Sequence, residues 1–267
     1  MLDSSATFTK SISAGLHSTV SNRLLLSLPP DEYGRVLPYL NSVPIAPLRY
    51  LQKHGHTVEH VVFPNESCVC SVFRPTGDGH AVHLGPCGSE SVVPMEVVYG
   101  NTQSNVDVQV HLVGEGVTAM PLVAFKALMV SRTAFYDAVM GFADRLLRSL
   151  TQSVGCTAVH SAEAQCARWL LATHDRANAA EFPVTHGYLA TLLGVRRPTV
   201  TLILNALQAS GAIRYRPGAV TICDAAQLEA HACECYRIAD VNVRCLPRHF
   251  ERVACFPRNT HNRDGYR

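Results

Sequence analysis

Two short amphipathic segments on either side of Gly194 constrain the fold of this 267-residue chain more than any other feature. Thr185 is a good helix N-cap, and the leucines that follow it share one side of a helix: Leu189, Leu192 and Leu193. Gly194 permits the backbone angles of a tight turn. Pro198 suits the first turn of a second helix, whose apolar side consists of Val200, Ile203, Leu204 and Leu207. The pattern predicts a helix-turn-helix.

The opposite side of the second helix is polar and includes two adjacent arginines. Its outward-facing members are Arg196, Arg197, Thr199, Thr201 and Asn205. The N-terminal part of such a helix enters the major groove of DNA, where an arginine donates two hydrogen bonds to guanine. One such contact contributes about 1–3 kcal/mol of base discrimination. Arg197 is the strongest candidate for it.

A predicted β-hairpin follows the two helices. Residues 213–215 and 220–222 form its strands, and the intervening Arg216-Pro217-Gly218-Ala219 is a typical turn. Arg214 and Arg216 are placed to contact phosphate. The sequence therefore predicts a winged helix-turn-helix whose DNA-binding residues are Thr185, Arg196, Arg197, Thr199, Thr201, Asn205, Arg214 and Arg216. An ordinary helical pair with a charged surface turn remains the alternative.

The first half of the chain has the pattern of a β-domain. Short β-type runs occupy residues 57–63, 67–73, 80–84 and 106–113. A hairpin is indicated at 74–79, where glycines supply the positive φ of a tight turn. In the last run Val106, Val108, Val110 and Leu112 alternate with polar residues, so His111 is expected on the polar face. Several such strands indicate a β-sandwich or jelly roll.

A long helix is predicted after the β-domain, capped by Ser131 or Thr133. Its apolar stripe recurs every three or four residues and consists of Phe135, Val139, Phe142, Leu146 and Leu150. The stripe packs on its own β-domain or on a symmetry mate. We favour the second arrangement, a dimer seam like that of a coiled coil. A further helix begins at the cap Ser161 and buries Trp169 in the core.

The order of these elements resembles the Crp/Fnr transcription regulators. The most specific matching segments are 167–171, 174–176 and 189–201, and the likeness extends over residues 22–236. It implies an α+β fold with an N-terminal cyclic-nucleotide-binding-like jelly roll, a dimerisation helix and a C-terminal winged helix-turn-helix. It also implies a homodimer on a near-palindromic operator, with RNA polymerase as a further partner. Pro198 and Leu202 replace a Glu and an Arg that contact bases in cyclic-AMP-responsive members, so the operator should differ.

The sequence divides the chain into five predicted parts. They are a flexible arm at 1–21, the jelly roll at 22–130, the dimerisation helix at 131–158, the DNA-binding domain at 159–236 and a basic tail at 237–267. The tail carries a local charge of about +4, which favours a polyanion or keeps the tail in solution. The first thirty residues do not have the pattern of a signal peptide, and no apolar run is long enough for a membrane span. We expect a cytoplasmic location and no membrane partner.

The jelly roll departs from its cyclic-nucleotide-binding relatives, which hold ribose with Gly-Glu and phosphate with Arg-Ser or Arg-Thr. The matching stretches here are 91–96 and 103–106, and neither contains an arginine. Burying the phosphate charge without a cation is costly, so cyclic AMP is not expected as the effector, which the sequence leaves unidentified. The N-terminal cysteines of Fnr-like relatives are missing as well. We therefore expect no cofactor, no metal and no catalytic residues.

Two other groups of residues suggest chemistry. His54, His56 and Glu59 come close to the metal-binding signature of cupins, so the alternative function is a cupin-like metal-dependent enzyme. The cysteines suggest thiol pairs that sense oxidants or ligate a soft metal: Cys68 with Cys70, and Cys233 with Cys235 near Cys223, Cys245 and Cys255. Buried cysteines that serve only as small apolar residues are the more frequent case. A β-domain scaffold with a non-binding helical pair is the remaining possibility.

Overall fold

The computed structural model describes residues 20–238, and its N-terminal part is a two-sheet antiparallel β-domain. The strands are β1 (Asn41–Val43), β2 (Tyr50–Gln52), β3 (His60–Pro64), β4 (Val69–Pro75), β5 (Ala81–Cys87), β6 (Asp107–Leu112) and β7 (Val117–Pro121). One sheet has the order β1-β7-β3 and the other β2-β6-β4-β5. The predicted hairpin joins β4 to β5, and the core between the sheets is rich in valine and cysteine.

Short helices close this domain against the first half of a long helix. They are α1 (Arg23–Leu26), α2 (Pro30–Val36) and α3 (Leu122–Leu128), and the long helix is α4 (Ala134–Val159). Thr133 is its N-cap, because the threonine hydroxyl accepts a hydrogen bond from the Tyr136 amide at 3.1 Å. Phe125 and Phe135 pack edge to face, with ring centroids 5.7 Å apart, in the core that joins these helices to β3 and β7.

The C-terminal part is a helical domain with a three-stranded sheet of order β8-β10-β9. Its helices are α5 (Ala162–Ala177), α6 (His186–Leu193), α7 (Arg197–Ala209) and α8 (Ala225–His231), and its strands are β8 (Glu181–Pro183), β9 (Ile213–Arg216) and β10 (Ala219–Ile222). Ser161 caps α5 as predicted, and Trp169 is buried in the domain core. The architecture is the predicted one.

Two details of the β-domain differ from the sequence prediction. Ser21, placed in the flexible arm, is fixed: its hydroxyl donates to Glu115 Oε2 at 2.5 Å and accepts from the Glu66 amide at 2.9 Å. His111, expected on a polar face, is buried because the C-terminal domain covers that face of β6. Residues 1–19 and 239–267, which include the rest of the arm, most of the basic tail, Cys245 and Cys255, lie outside the described residues. Within residues 20–238, no helix is long and apolar enough to cross a membrane.

Candidate DNA-binding interface

The turn between α6 and α7 forms at the residues from which the sequence predicts it. The Thr185 hydroxyl accepts a hydrogen bond from the Tyr188 amide at 3.1 Å, so Thr185 caps α6. Gly194 ends α6 in the left-handed conformation, with φ of 65°. Glycine adopts this angle without a steric cost. The Val195 amide then donates to the Ala190 carbonyl at 3.1 Å, and α7 begins two residues later.

Helix α7 has the two sides that its sequence predicts. The buried side consists of Val200, Ile203, Leu204 and Leu207. All five predicted DNA-contacting residues of this segment are exposed: Arg196, Arg197, Thr199, Thr201 and Asn205. Among residues 20–238, neither arginine of this set forms an ion pair. The helix therefore presents two available guanidinium groups at its N-terminal end.

Two residues of the helical pair, which were not among the predicted DNA-binding residues, add to the exposed side. Leu202 lies on the polar side of α7 with 71% of its surface exposed, and its spacing from Val200 and Ile203 was the available signal. An apolar side chain there suits contact with the methyl group of thymine. Gly187 lies under Arg197: a Cβ on Gly187 would be 3.1 Å from Arg197 Nη2. The guanidinium thus rests against the first turn of α6, a contact that no helical periodicity reveals.

The wing is the hairpin of β9 and β10, and its two arginines differ in availability. Arg214 is exposed and forms no ion pair in the described part of the chain. Arg216 is bound by Glu181 on β8, whose carboxylate also accepts from the Thr221 hydroxyl at 3.0 Å. The Thr221 hydrogen bond and then Arg216 lower the pKa of Glu181. Arg214 is therefore the better placed of the two for phosphate.

An aromatic cluster joins the helix-turn-helix to the β-domain. Tyr188 on α6 stacks on His111 of β6 with ring centroids 4.6 Å apart, and its hydroxyl is hydrogen-bonded to Ser71 of β4. Trp169 contacts both rings at centroid distances of 5.5 Å. Burial lowers the pKa of His111 to about 4 and raises that of Tyr188. Both groups are therefore neutral in this contact at physiological pH.

A buried ion pair forms a second connection between the domains. Arg176 near the end of α5 donates from Nε to Glu90 Oε1 at 2.8 Å, and these side chains are only 10% and 7% exposed. Arg176 Nη1 also donates to the Ala172 carbonyl at 2.8 Å. The Gly88 amide adds a bond to Glu90 Oε1 at 3.3 Å. The pair ties the loop after β5 to the first helix of the C-terminal domain.

The predicted dimer stripe on α4 needs correction. Phe135, Val139 and Phe142 are buried in the core of their own β-domain, and Leu146 packs against the same core while partly exposed. Phe135, Val139 and Phe142 cannot also contact a second chain, so the alternative arrangement holds for this half of the helix. Leu150 is half-buried. The prediction of a seam is wrong for the three buried residues because helical periodicity identifies an apolar side but not what covers it.

The region that matches the nucleotide-binding cassette is closed by its own hydrogen bonds. Glu96, in a short 3₁₀ helix at Met95–Tyr99, accepts from the Ser104 hydroxyl at 2.6 Å and from the Asn105 amide at 2.8 Å. One oxygen of this carboxylate receives both bonds. The Glu96 carboxylate therefore stabilises the following loop.

The cupin-like residues do not form a metal site. His54, His56 and Glu59 are exposed and lie outside the strands. Arg74 Nη1 donates to His54 Nδ1 at 3.1 Å, which occupies one of the two ring nitrogens. The spacing resembled a cupin strand, but the segment forms a turn followed by an isolated bridge at Thr57.

Fold and interface together define a winged helix-turn-helix protein with a β-domain joined through a long helix. Residues 164–231 match the model of the Crp-like helix-turn-helix domain. A comparison with curated protein sequences gives no match. This segment of the chain is therefore similar to Crp-like helix-turn-helix domains.

Solved structures give the same fold at low sequence identity. The c-di-GMP-responsive global regulator CLP from Xanthomonas campestris is 16% identical, with a TM-score of 0.57 over 73% of this chain and 99% of that one. A CRP-family transcriptional regulator from Thermus thermophilus is 19% identical, with a TM-score of 0.58 over 70% and 95%. FixK2 from Bradyrhizobium japonicum is 13% identical, with a TM-score of 0.58 over 70% and 94%. The chain has the fold of these structures, and together with the match of residues 164–231 this confirms the resemblance to the Crp/Fnr regulators.

Proposed function

We propose that this protein is a cytoplasmic, homodimeric transcription regulator, without enzymatic activity, that binds a near-palindromic operator in double-stranded DNA. One observation carries the proposal: the side of α7 opposite its buried stripe bears Arg196 and Arg197 at the N-terminal end, with the exposed Arg214 of the wing in the same domain. Two such helices in a dimer would occupy major grooves about one DNA turn apart. The bound dimer then recruits or blocks RNA polymerase.

The arginines have different roles in this proposal. Arg197 contacts a base, with Thr199, Thr201 and Asn205 beside it, while Arg196, Arg214 and, after release from Glu181, Arg216 contact phosphate. Thr185 lies at the start of α6, where its hydroxyl group remains available for a phosphate oxygen. Base contacts determine specificity, whereas phosphate contacts determine affinity and its dependence on salt.

The test is selection of bound fragments from genomic DNA, followed by binding measurements at several salt concentrations. Arg197→Ala should reduce binding to the selected site by about 10–100-fold and relax preference at one position of each half-site. Arg214→Ala should weaken binding to all sequences alike and lower the salt slope by about 1 per subunit. Arg35→Ala, an exposed arginine of the β-domain, is the matched control. Unchanged site preference in Arg197→Ala would contradict the assigned base contact.

The dimer seam in this proposal lies on the exposed side of α4. Leu147, Thr151, Val154 and Ala158 are exposed and recur at spacings of four, three and four, which is the a/d pattern of a coiled coil. Leu147 is 63% exposed and Val154 is 73% exposed. Val154→Lys should convert the dimer to a monomer in light scattering. Val123→Lys changes an apolar residue on α3 that is 82% exposed, and it should leave the mass unchanged.

We further propose that cyclic AMP is not the effector. The support is the absence of arginine from residues 91–96 and 103–106, together with the use of the Glu96 carboxylate by Ser104 and Asn105. Calorimetric titration with cyclic AMP should give no binding heat, and the nucleotide should not change operator affinity. Saturable binding would refute this part of the proposal and leave the DNA-binding part intact.

A further inference from the structure

Three cysteines and a histidine converge where the long helix ends. Cys156 lies in the last turn of α4 and His160 is its C-cap, while Cys233 and Cys235 follow α8. Their ligand atoms all lie within 4.8 Å of one another. Cys156 and Cys233 are 77 positions apart in the sequence, so the fold and not local spacing brings the group together.

The separations suit a tetrahedral metal centre. Cys156 Sγ is 3.5 Å from Cys233 Sγ, and Cys235 Sγ is 3.5 Å from His160 Nδ1. With Zn–S bonds near 2.3 Å and Zn–N bonds near 2.0–2.1 Å, tetrahedral angles place two sulfurs about 3.8 Å apart and a sulfur and a nitrogen about 3.5 Å apart. Small shifts of the side chains would therefore accommodate an ion at the centre.

The groups around the cluster orient the ligand atoms. His160 directs Nδ1 toward Cys235, while its other nitrogen, Nε2, lies 3.2 Å from Glu234 Oε1. A carboxylate on the second ring nitrogen is the usual partner of a metal-bound histidine. Gln152 Nε2 donates to Cys235 Sγ at 2.9 Å, as an amide does to a thiolate. These polar contacts distinguish the cluster from cysteines that are merely packed in an apolar core.

We propose that Cys156, His160, Cys233 and Cys235 bind one Zn²⁺ ion, which connects the segment after α8 to the end of α4. Three thiolates and one neutral imidazole are a donor set of structural zinc sites. The three thiols release their protons when the metal binds. The ion would join the helix that carries the proposed dimer seam to the domain that carries α7. This site is independent of the proposed operator contacts.

Metal analysis of the purified full-length protein is the direct test. Protein prepared under reducing conditions should contain about one zinc per chain, and Co²⁺ exchanged into it should give the visible bands of tetrahedral thiolate coordination. Cys233→Ser should lose the metal. Cys223→Ser alters an exposed cysteine ten positions away and should retain it, which makes it the matched control.

Two further variants keep the test decisive if a serine variant fails to fold. His160→Cys offers four thiolates and should still bind zinc, with a cobalt spectrum shifted toward full sulfur ligation. Glu234→Gln keeps all four ligands and should lower zinc affinity about 10–100-fold. The proposal would be overturned if the purified protein is metal-free and does not take up Co²⁺. A stoichiometric iron chromophore, or a Cys156–Cys233 disulfide in the reduced preparation, would overturn it as well.

Discussion

Removal of Arg176 from its buried ion pair with Glu90 should cost far more stability than removal of the arginine from an exposed pair of similar length. Arg176→Met keeps most of the aliphatic stem beside Gly88 but leaves the Glu90 carboxylate only 7% exposed and without its cation. The Gly88 amide remains as a partner at 3.3 Å. An unpaired buried charge of this kind costs about 3–5 kcal/mol. The midpoint of urea unfolding should fall accordingly, with the m-value unchanged.

The exposed pair on α4 provides the control. Arg148 Nε lies 2.9 Å from Asp144 Oδ2, nearly the same distance as in the buried pair, but these side chains are 54% and 58% exposed. Water and salt screen such a pair, so Arg148→Met should leave the unfolding midpoint nearly unchanged. Equal effects of the two arginine substitutions would refute the argument from burial.

A double variant separates the charge effect from lost packing. Glu90→Gln combined with Arg176→Met removes both charges, and the glutamine oxygen still accepts from the Gly88 amide. The double variant should be more stable than Arg176→Met alone, because replacing a buried pair is much less costly than breaking it. If the two substitutions instead destabilise additively, the carboxylate is not the source of the loss.

Two further predictions concern pH and backbone conformation. Burial lowers the pKa of His111 to about 4 and that of His83 to about 3, from 6.5. The unfolded chain therefore binds more protons between pH 6.5 and 4, and stability falls as the pH falls, by about 1.4 kcal/mol per pH unit for each histidine. His111→Gln should reduce the slope of unfolding free energy against pH by that amount, and an unchanged slope would contradict the assignment. Gly114→Ala should lower the free energy of unfolding by more than about 1–3 kcal/mol, because the φ of Gly114 is 48° and the new Cβ would lie 2.2 Å from the backbone carbon of Ser67. Gly34→Ala is the control: Gly34 has open space around it in α2, so this variant should be neutral or stabilising in the same denaturation assay.

The sequence predicted the elements with strong periodicity and missed those without it. The buried side of α7, the caps Thr133, Ser161 and Thr185 and the hairpin of β4 and β5 all follow from local residue patterns. Strands β1 and β2 have three residues each, too few to show an alternation. A local pattern determines such an element only when it extends over at least two turns or several alternations.

The remaining errors concern contacts between distant parts of the chain. His111 alternates with buried valines as a solvent-facing residue would, and only the docked C-terminal domain makes it a buried one. Likewise, Phe135 and Val139 form an apolar stripe that suits either a partner or their own domain. Nothing in the sequence links the pair Cys156 and His160 to the pair Cys233 and Cys235, and only the fold brings the two pairs together. Periodicity shows which side of an element is apolar but not which surface covers it.

Helix α5 is held at both ends, which limits how α7 of the same domain can move. Near its N-terminus, Ala164 packs against the cysteine cluster, and Glu163 Oε1 lies 3.0 Å from His231 Nδ1 of α8. At its C-terminus, Arg176 is fixed by Glu90 of the β-domain. A rotation of the C-terminal domain relative to the β-domain must therefore break the buried Arg176–Glu90 ion pair, or it must pivot about that pair and disturb the cysteine cluster. If the proposed zinc site fixes the contact of Ala164 with the cysteine cluster, removal of the zinc should increase hydrogen exchange at the start of α5 while the end near Arg176 stays protected. Arg176→Met should instead increase exchange at the end of α5 and leave its start protected.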